Sequence, residues 1–454
     1  MTLLIISAFT SYFMNSYLVV IDTEMIRNSM QTNLDESLDL INIQLLFYLI
    51  FLGIIPAYGV YKIPIEYRGI KQEFLAKLKT VGISLLFIVL ILVSFSKFYT
   101  SFFREHKPLR YYTNPTYWIY SMGNYVAKTF ESGEVIVQPI GVDAIIEEHS
   151  EKKKLTIMVV GEAARADHFS LNGYERETNP LLKKENIVNF PNVSSCGTST
   201  AVSVPCMFSR YGRSDYSYKK GVRSENVLDV LAHTNKVSIL WRDNNSDSKG
   251  VAVRLPYESY KSPEINSICP EGECRDEGML IGLDHYIENQ KENNILIVLH
   301  QMGNHGPAYY KRYLKSFEQF TPVCETNQLE ECSQESINNA YDNALLYTDY
   351  FLSKVITLLK EHSSEYETTM IYMSDHGESL GEGGIYLHGM PYFMAPDAQT
   401  HVATVMWFGE KGKYDAIDST KSYSQDNLFH TLLGLYGVKT EVYDALMDML
   451  KGQK

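Results

Sequence analysis

The first hundred residues contain three apolar segments that are too long and too poor in charge for an ordinary soluble domain. Residues 3–21, 41–60 and 80–96 carry no charged side chain. A helix of about 20 apolar residues crosses a hydrocarbon core of about 30 Å. We therefore predict three transmembrane helices within a domain of residues 1–98. A cleaved signal peptide is the alternative for the first segment, but no basic residue precedes it and no small-residue cleavage motif follows it.

The charges of the two connecting segments predict how these helices are oriented. Residues 61–79 hold five Lys or Arg side chains against two Glu side chains, which favours the cytoplasmic side. Residues 22–40 hold five acidic side chains against Arg27 alone, so we expect them on the outer face. Everything after Lys97 is then expected outside the cytoplasm.

The six cysteines support the same placement. They form three pairs that are close in sequence: Cys196 and Cys206, Cys269 and Cys274, and Cys324 and Cys332. None has the C-x-x-C spacing that is typical of zinc ribbons. Local disulfides are the simplest pairing, with free thiols as the alternative. Such disulfides would place the chain beyond residue 98 in an oxidising compartment.

The remainder of the chain divides into a short connecting region and a large domain. Residues 99–150 are aromatic and then polar, and we interpret them as an interfacial helix followed by a linker, or else as a surface helix covering the next domain. Residues 151–454 alternate strand-like and amphipathic segments, which indicates an α/β domain with a mostly parallel sheet. The clearest strands are 155–160, 236–241, 294–299 and 369–373, and the clearest helices are 336–361 and 425–436.

Acidic residues and histidines follow three of these strands at the point where each strand ends. They are Glu162 after strand 155–160, His300 and His305 after strand 294–299, and Asp375 and His376 after strand 369–373. Open α/β sheets bind ligands beyond the carboxyl ends of their strands. We therefore expect these side chains to meet at one edge of the sheet.

Cys196 and Cys206 bracket a stretch that begins as a hydroxyl-rich loop. From Thr200 onward its small and apolar residues predict the start of a short helix. A helix N-terminus suits a phosphate, and a nearby metal lowers the pKa of a hydroxyl so that it becomes a nucleophile. A capped helix with a stabilising disulfide is the alternative. Glu162, Asp375 and His376 offer two oxygens and a nitrogen, and Thr200 Oγ1 completes a tetrahedral set that suits Zn²⁺ better than Ca²⁺ or Mg²⁺.

Further polar residues are candidates for binding a substrate or a second metal. His305 and His388 offer imidazole nitrogens, and both suit a second metal or a substrate phosphate. After strand 236–241, Lys249 would place a positive charge on a phosphoryl oxygen and Asn245 would act as a neutral donor. A solvated polar turn is the alternative for residues 245–250.

These segments carry a resemblance to a known family. Residues 196–206, residues 245–250 and the motifs HQMGNHGP (300–307) and SDHGESLGEGG (374–384) resemble those of the lipid A phosphoethanolamine transferases, which include the mobile colistin-resistance enzymes and belong to the alkaline phosphatase superfamily. The resemblance implies transmembrane helices followed by an alkaline phosphatase-like α/β/α sandwich. It also implies a multi-pass protein of the inner membrane of a Gram-negative bacterium, with its catalytic domain in the periplasm.

The resemblance also assigns roles to individual residues. It implies that Glu162, Thr200, Asp375 and His376 hold a catalytic zinc ion and that Thr200 carries the phosphoethanolamine group. It implies substrate or second-metal positions at His300, His305, His388, Lys249, Asn245, Asn28, Thr32 and Glu36. Whether one or two zinc ions bind stays open at this stage. The local pairing of the cysteines also agrees with the family.

One departure from the family lies at the N-terminus. The family usually has five transmembrane helices, and the first apolar segment here, residues 3–21, is similar to the third of them. We therefore expect two helices to be missing, with a truncated sequence as the simplest explanation.

The resemblance implies a zinc-dependent transfer of phosphoethanolamine from phosphatidylethanolamine to a lipid A phosphate of lipopolysaccharide. The transfer would lower the negative charge of the cell surface and give resistance to polymyxin and other cationic peptides. Core sugars and periplasmic glucans are alternative acceptors. We expect a monomer in contact with membrane lipids, and the formal net charge of −13 argues against binding nucleic acid.

Three other functions are alternatives. A phosphoglycerol transferase would share the threonine and the metal. A sulfatase or phosphatase-like hydrolase would share the superfamily, but a sulfatase needs Cys-x-Pro-x-Arg at the nucleophile, and the sequence Thr200-Ala201-Val202 does not supply it. A membrane-anchored binding protein with an inactive site would lack at least one metal ligand, and none of the four is missing.

Overall fold

The computed structural model describes residues 1–32, 37–38, 40–64, 69–96, 98–99, 102, 106–130, 135–147, 152–290, 293–410 and 417–451. The chain divides into two compact units. The first, the helical unit, comprises Met1–Ser16, Val20–Asp22 and Ile43–Asn124. The second, the α/β unit, comprises Tyr17–Val19, Thr23–Asn42 and Tyr125–Lys454.

The helices and strands of the described residues are numbered in chain order. The helices are α1 (Thr2–Ser16), α2 (Thr23–Gln31), α3 (Ile43–Lys62), α4 (Ile70–Ser94), α5 (Thr116–Phe130), α6 (Thr200–Met207), α7 (Tyr218–Val222), α8 (Val227–His233), α9 (Leu283–Asn289), α10 (Gln334–Glu361), α11 (Asp397–Thr400) and α12 (Leu428–Leu435). The strands are β1 (Ile145–Ile146), β2 (Lys153–Gly161), β3 (Ile187–Asn189), β4 (Val193–Ser194), β5 (Val237–Asp243), β6 (Tyr257–Ser259), β7 (Asn294–His300), β8 (Tyr366–Ser374), β9 (Ser379–Leu380), β10 (Tyr386–Leu387), β11 (Thr404–Phe408), β12 (Tyr423–Ser424) and β13 (Val438–Lys439).

The helical unit contains the two helices, among the residues described, that are long and apolar enough to cross a membrane. These are α3, with 20 residues, and α4, with 25 residues. They correspond to the predicted spans 41–60 and 80–96. The predicted first span, 3–21, is helical only over the 15 residues of α1, which is shorter than the roughly 20 residues that a span requires.

Close packing between α1 and α3 depends on a glycine. A Cβ atom added at Gly53 would lie 3.2 Å from the Cα atom of Ile5 and 3.3 Å from the Cβ atom of Ala8. Small residues let two apolar helices approach closely where no hydrophobic effect draws them together. Residues Leu49–Ile54 of α3 form a π-helical turn around this contact.

The α/β unit is built on one seven-stranded sheet within the described part of the chain. Its strand order is β3-β11-β8-β2-β7-β5-β6. The five strands from β8 to β6 are parallel to one another, and β11 pairs antiparallel with β8 on one side and with β3 on the other. The predicted mostly parallel sheet is therefore confirmed.

Both faces of this sheet are covered, and the alternation of side chains along β2 shows how. Leu155, Ile157 and Val159 belong to a core that includes α10. Met158 and Val160 point to the opposite face and belong to a second core that includes α6, α8 and α12. Successive side chains of a strand face opposite sides, so the sheet lies between two helical layers.

The register of the sheet brings the carboxyl ends of the central strands to one level. Val160 pairs with His300, and Gly161 pairs with Ser374. Asp243, at the end of β5, also pairs with His300. The residues that follow these four strands therefore emerge together at one edge of the sheet.

The α/β unit begins earlier than the predicted boundary at residue 151. Ile145 and Ile146 pair with Lys439 and Val438 in an antiparallel ladder, and Ile140 is buried in the second core. The polar run at residues 147–152 favours a linker, but Ile140 and Ile146 pack against the second core and hold the stretch against the domain.

Gly377 allows the residues after β8 to pack against α11. Its backbone N donates a hydrogen bond to the Gln399 oxygen at 3.0 Å, and an added Cβ atom would lie 2.0 Å from the Ala398 oxygen. Because the backbone must shift, we expect Gly377→Ala to destabilise the α/β unit by about 1–3 kcal/mol, which lowers its unfolding midpoint by several degrees. The measurement is thermal unfolding of the full chain in detergent.

The matched control is Gly123→Ala on α5, where nothing lies within 4 Å of the added Cβ atom. This control should leave the unfolding midpoint of the α/β unit unchanged. An unchanged midpoint for Gly377→Ala would contradict the packing described.

Candidate metal and nucleophile site

The nucleophile candidate, Thr200, is the first residue of α6, and the preceding loop is held to the helix at several points. The Gly197 backbone N donates to Ser203 Oγ at 2.8 Å, and the Ser203 backbone N donates to the Ser199 oxygen at 2.8 Å. The Cys196–Cys206 disulfide closes the same loop. These contacts fix where the Thr200 hydroxyl lies, and its side chain is buried.

All three predicted disulfides are present. The other two join Cys269 to Cys274 and Cys324 to Cys332. No free cysteine occurs among the residues that the structure describes.

Four of the predicted site residues meet at the carboxyl edge of the sheet. Thr200 Oγ1 lies 3.1 Å from Glu162 Oε2 and 3.3 Å from His376 Nε2. His376 Nε2 lies 3.4 Å from Glu162 Oε1 and 3.4 Å from Asp375 Oδ2. Glu162, Asp375 and His376 are all buried, and one ligand atom from each lies within 4.8 Å of the other two.

The hydrogen bonds around this cluster turn particular atoms toward its centre. Asp375 Oδ1 accepts from the His376 backbone N at 2.7 Å and from the Ala163 backbone N at 3.2 Å. Asp375 Oδ2 is buried and has no hydrogen-bond partner among the described residues. His376 Nδ1 donates to the Gly377 oxygen at 2.8 Å, which leaves the Nε2 lone pair facing the two carboxylates.

This arrangement fits a divalent cation. Burial lowers the pKa of His376, so the imidazole is neutral and the two carboxylates bring two buried negative charges. Buried charges are costly unless they are paired or bind a metal. Two carboxylate oxygens, one imidazole nitrogen and a hydroxyl form a set that suits zinc. Glu162, Asp375, His376 and Thr200 are therefore the residues that would hold it.

A second group of possible ligands shares His376 with the first. His376, Glu378 and His388 each offer one atom within 4.8 Å of the others. His388 Nδ1 lies 2.8 Å from Glu378 Oε2, and the Tyr309 hydroxyl donates to Glu378 Oε1 at 2.8 Å. Glu378 thereby fixes the orientation of the His388 ring.

His305 lies beside this second group. Its ring centre is 6.0 Å from that of His388. Burial, together with the charges of Arg312 and His388, lowers the pKa of His305 well below its usual value. A neutral imidazole in this place is suited to bind a metal or to accept a hydrogen bond.

Asn245 contacts the first group directly. Its Nδ2 donates to Glu162 Oε2 at 2.9 Å and to the Gln301 oxygen at 2.7 Å. It therefore orients the Glu162 carboxylate. Lys249 has different contacts: its Nζ donates to the Ser246 oxygen at 2.7 Å and to the Gln31 oxygen at 3.1 Å.

His300 does not belong to either group of metal ligands among the described residues. Its Nδ1 lies 2.8 Å from Asp243 Oδ2, and its ring packs edge-on against Trp241. His300, at the end of β7, therefore supports the end of the neighbouring strand β5 through these contacts. Burial alone would raise the pKa of the Asp243 carboxyl, but the charge and hydrogen bond of His300 lower it.

The predicted residues of the outward loop lie on or beside α2. Thr32 Oγ1 donates to the Asn28 oxygen at 2.7 Å, one helical turn away. Within the α/β unit, α2 packs against α6, the helix that starts at Thr200. Glu36 lies outside the described residues.

Three supporting residues, Asp243, Glu378 and Gln425, were not identified from the sequence. Asp243 accepts hydrogen bonds from Trp241 Nε1 and from the Asn245 backbone N, so it organises the turn that carries Asn245. Gln425 Nε2 donates to the Ser374 and Asp375 oxygens at 2.7 Å, and its Oε1 accepts from the Cys196 backbone N.

The sequence did not indicate a role for these three residues, and the reason differs for each. The rule that found Glu162 would have found Asp243 if strand 236–241 had been extended to its true end at residue 243. Glu378 was part of a recognised motif but was given no role. Gln425 has no local signal, because its partners lie 50 and 229 residues away in sequence.

Comparison with known proteins finds a matching family model for each part of the chain. Residues 154–438 match the family model described as Sulfatase, and residues 1–130 match the model described as Phosphoethanolamine transferase EptA/EptB. Phosphatidylethanolamine transferase Mcr-1 of Escherichia coli is 46% identical over 450 residues, which cover 97% of this chain and 83% of the relative.

Two further relatives agree. Phosphoethanolamine transferase EptA of Escherichia coli K12 is 41% identical over 461 residues, covering 99% of this chain and 84% of the relative. The solved integral membrane lipooligosaccharide phosphoethanolamine transferase A of Neisseria meningitidis superimposes with a TM-score of 0.93 at 35% identity, covering 99% of this chain and 85% of that structure.

The contact between Asn245 and Glu162 predicts how this amide affects metal binding. Groups that orient a metal ligand typically change metal affinity by about 10–100-fold when they are removed. We expect Asn245→Ala to weaken zinc binding by that factor, measured by competition with a zinc-binding dye. Asn192→Ala is the matched control, since Asn192 is exposed and its side-chain amide donates to the Thr420 oxygen, away from the cluster. Equal zinc affinity in both variants would show that Asn245 does not orient Glu162.

Proposed function

The chain belongs to the phosphoethanolamine transferase family, and from that premise we propose that it transfers phosphoethanolamine from phosphatidylethanolamine to a lipid A phosphate. We propose further that Thr200 carries the group between donor and acceptor. The observation that carries this proposal is the position of Thr200 Oγ1, which lies within 3.3 Å of both Glu162 and His376 at the centre of the buried cluster.

The first half-reaction forms a bond between Thr200 Oγ1 and the phosphorus of the donor. The bond between phosphorus and the glycerol oxygen of phosphatidylethanolamine breaks, and diacylglycerol leaves. The proton of the Thr200 hydroxyl ends on the glycerol oxygen, so atoms and charges balance. The fixed loop before α6 supplies the positioning on which phosphoryl transfer chiefly depends.

The second half-reaction returns Thr200 to its starting state. An oxygen of the acceptor phosphate forms a bond with the phosphorus, the bond to Thr200 Oγ1 breaks, and the acceptor's proton returns to the threonine. The product is a phosphoethanolamine diphosphate ester. The buried position of Thr200 excludes water, which limits hydrolysis of the phosphothreonine ester.

Zinc, when bound by Glu162, Asp375, His376 and Thr200, would lower the pKa of the threonine hydroxyl and neutralise charge on the phosphoryl oxygens. Asp375 and His376 hold their ligand atoms in place through the backbone hydrogen bonds described above. Glu378, His388 and His305 would bind a second metal or the phosphate group of a substrate. Asn245 orients Glu162 as an uncharged hydrogen-bond donor.

We also propose that the chain is anchored in the inner membrane with the α/β unit in the periplasm. The apolar surfaces of α3 and α4, the charges between the predicted spans and the three disulfides support this placement. Both proposed substrates are lipids, so an anchored enzyme meets them at the bilayer surface. Adding an ethanolamine cation to lipid A would reduce the attraction of polymyxin and other cationic peptides.

A sulfatase activity is the main alternative, because the α/β unit matches the Sulfatase family model. The residue at the start of α6 argues against it. A threonine stands at the nucleophile position, without the Cys-x-Pro-x-Arg motif that a sulfatase requires. The match therefore supports the shared fold and metal site and gives no support for sulfate chemistry.

The transfer is tested by the mass of the peptide that contains Thr200. We expect wild-type protein, purified from membranes that contain phosphatidylethanolamine, to carry one phosphoethanolamine group on Thr200. We expect Thr200→Ala to lack the group and to lose transfer to lipid A by at least about a thousandfold, because the covalent carrier is gone.

Thr200→Ser is the matched variant, since it restores a hydroxyl at the same position and should regain the adduct. Prior treatment with a chelator should prevent fresh loading, and added zinc should restore it. Wild-type protein that transfers phosphoethanolamine while Thr200 stays unmodified, or an active Thr200→Ala variant, would contradict the proposal.

A further inference from the structure

A cavity of about 450 Å³ lies against the start of α6, within the α/β unit. Ala201 and Val202, the two residues after Thr200, form part of its wall. The rest comes from α2, from the end of α5 and from the segment 216–223. The remaining lining residues are Glu24, Arg27, Lys128, Tyr216, Ser217, Tyr218, Lys219, Val222 and Arg223.

The charges that line this cavity are mainly positive. Four cations, from Arg27, Lys128, Lys219 and Arg223, face one carboxylate, that of Glu24. Glu24 forms an ion pair with Arg27, its neighbour one turn along α2. The concentration of positive charge contrasts with the net charge of −13 of the whole chain. The cavity therefore favours an anion.

Two of the cations are held in ways that suit a binding wall. Arg27 is 5% exposed, and its guanidinium lies over the ring of Tyr218 with 4.1 Å between its Cζ atom and the ring centre. Arg223 has a buried Nε atom that donates to no acceptor among the described residues.

We infer that this cavity binds a phosphate monoester of the acceptor lipid other than the one that reacts, because Thr200 itself does not line the cavity. The inference rests on the proposed function, and it adds the place where the acceptor is held. A phosphate monoester carries about −1.5 to −2 charges near neutral pH. The headgroup of phosphatidylethanolamine carries one negative and one positive charge, so a cationic wall favours the acceptor over the donor.

The position and the lining of the cavity agree with this assignment. Because Ala201 and Val202 directly follow Thr200, an anion in the cavity lies beside the helix that bears the nucleophile. Tyr216, Tyr218 and Val222 offer aromatic and aliphatic surface for the sugar that carries the phosphate.

The test separates the two half-reactions in the full chain, reconstituted in lipid nanodiscs. Loading of Thr200 is followed with a phosphatidylethanolamine donor, and transfer is followed with increasing concentrations of a lipid A that carries phosphate. We expect Lys219→Gln and Arg223→Gln to raise the KM for the acceptor about tenfold each, since each removes a charged donor. The loss should fall on transfer and not on loading.

Lys220→Gln is the matched control, because it removes the same charge one residue from Lys219 without facing the cavity. Lys220 Nζ instead donates to the Asp215 oxygen at 2.9 Å. The KM for the acceptor should be unchanged in this variant. Arg223→Lys should recover part of the affinity lost in Arg223→Gln, which separates a charge effect from misfolding.

Binding without turnover distinguishes this inference from the proposed function. Lipid A with phosphate should bind Thr200→Ala protein about tenfold more tightly than it binds the Thr200→Ala, Lys219→Gln double variant. Lipid A without phosphate should bind both equally, and inorganic phosphate should compete only at high concentration because it lacks the lipid contacts.

Loss of this difference, or slower loading with an unchanged acceptor KM, would overturn the inference. Equal effects of Lys219→Gln and Lys220→Gln would overturn it too. If Thr200 never carries phosphoethanolamine, the proposed function fails, and the binding measurement still decides whether the cavity recognises a lipid phosphate.

Discussion

The α/β unit depends on keeping two carboxylates, those of Glu162 and Asp375, buried next to one neutral imidazole. Such a group is unstable without a cation, because buried like charges repel and neither is solvated. The sheet makes the arrangement possible, since the register of β2 and β8 places the two acids side by side at adjacent strand ends. The Thr200 hydroxyl completes the group from outside the sheet.

Most of the surrounding polar contacts hold this cluster in one geometry. Asn245 fixes Glu162, and Asp243 fixes the turn that carries Asn245. Gln425 joins the backbone of Asp375 to the loop before α6, so one amide connects a candidate metal ligand to the loop that carries Thr200. Transfer of a phosphoryl group demands positioning above all, and these contacts provide it before any substrate arrives.

The sequence predicted that the four candidate metal ligands lie together, because each one follows a strand or starts a helix. Glu162, Asp375 and His376 come directly after buried apolar runs, and parallel strands bring such positions together. His300 obeys the same rule but contacts Asp243, because one strand end offers several directions and sequence does not select among them. The predicted first span, 3–21, extends past Ser16, where α1 ends, because composition alone does not reveal where a helix ends.

Other features depend on contacts between distant segments. The early start of the α/β unit rests on a two-residue pairing between β1 and β13, nearly 300 residues apart. The cationic cavity combines Arg27 of α2 and Lys128 of α5 with Lys219 and Arg223 of the segment 216–223, which are distant in sequence. Such features follow from the three-dimensional fold, and no local sequence pattern predicts them.

The central claim is that one zinc ion is held by two carboxylates, one imidazole and the Thr200 hydroxyl. X-ray absorption at the zinc edge of the full chain loaded with one equivalent of zinc tests it most directly. The account predicts only oxygen and nitrogen neighbours at about 2.0–2.2 Å, with a single imidazole, and the loss or replacement of one oxygen neighbour in Thr200→Ala. A sulfur neighbour at about 2.3 Å, or a spectrum dominated by several imidazoles and unaffected by Thr200→Ala, would contradict it.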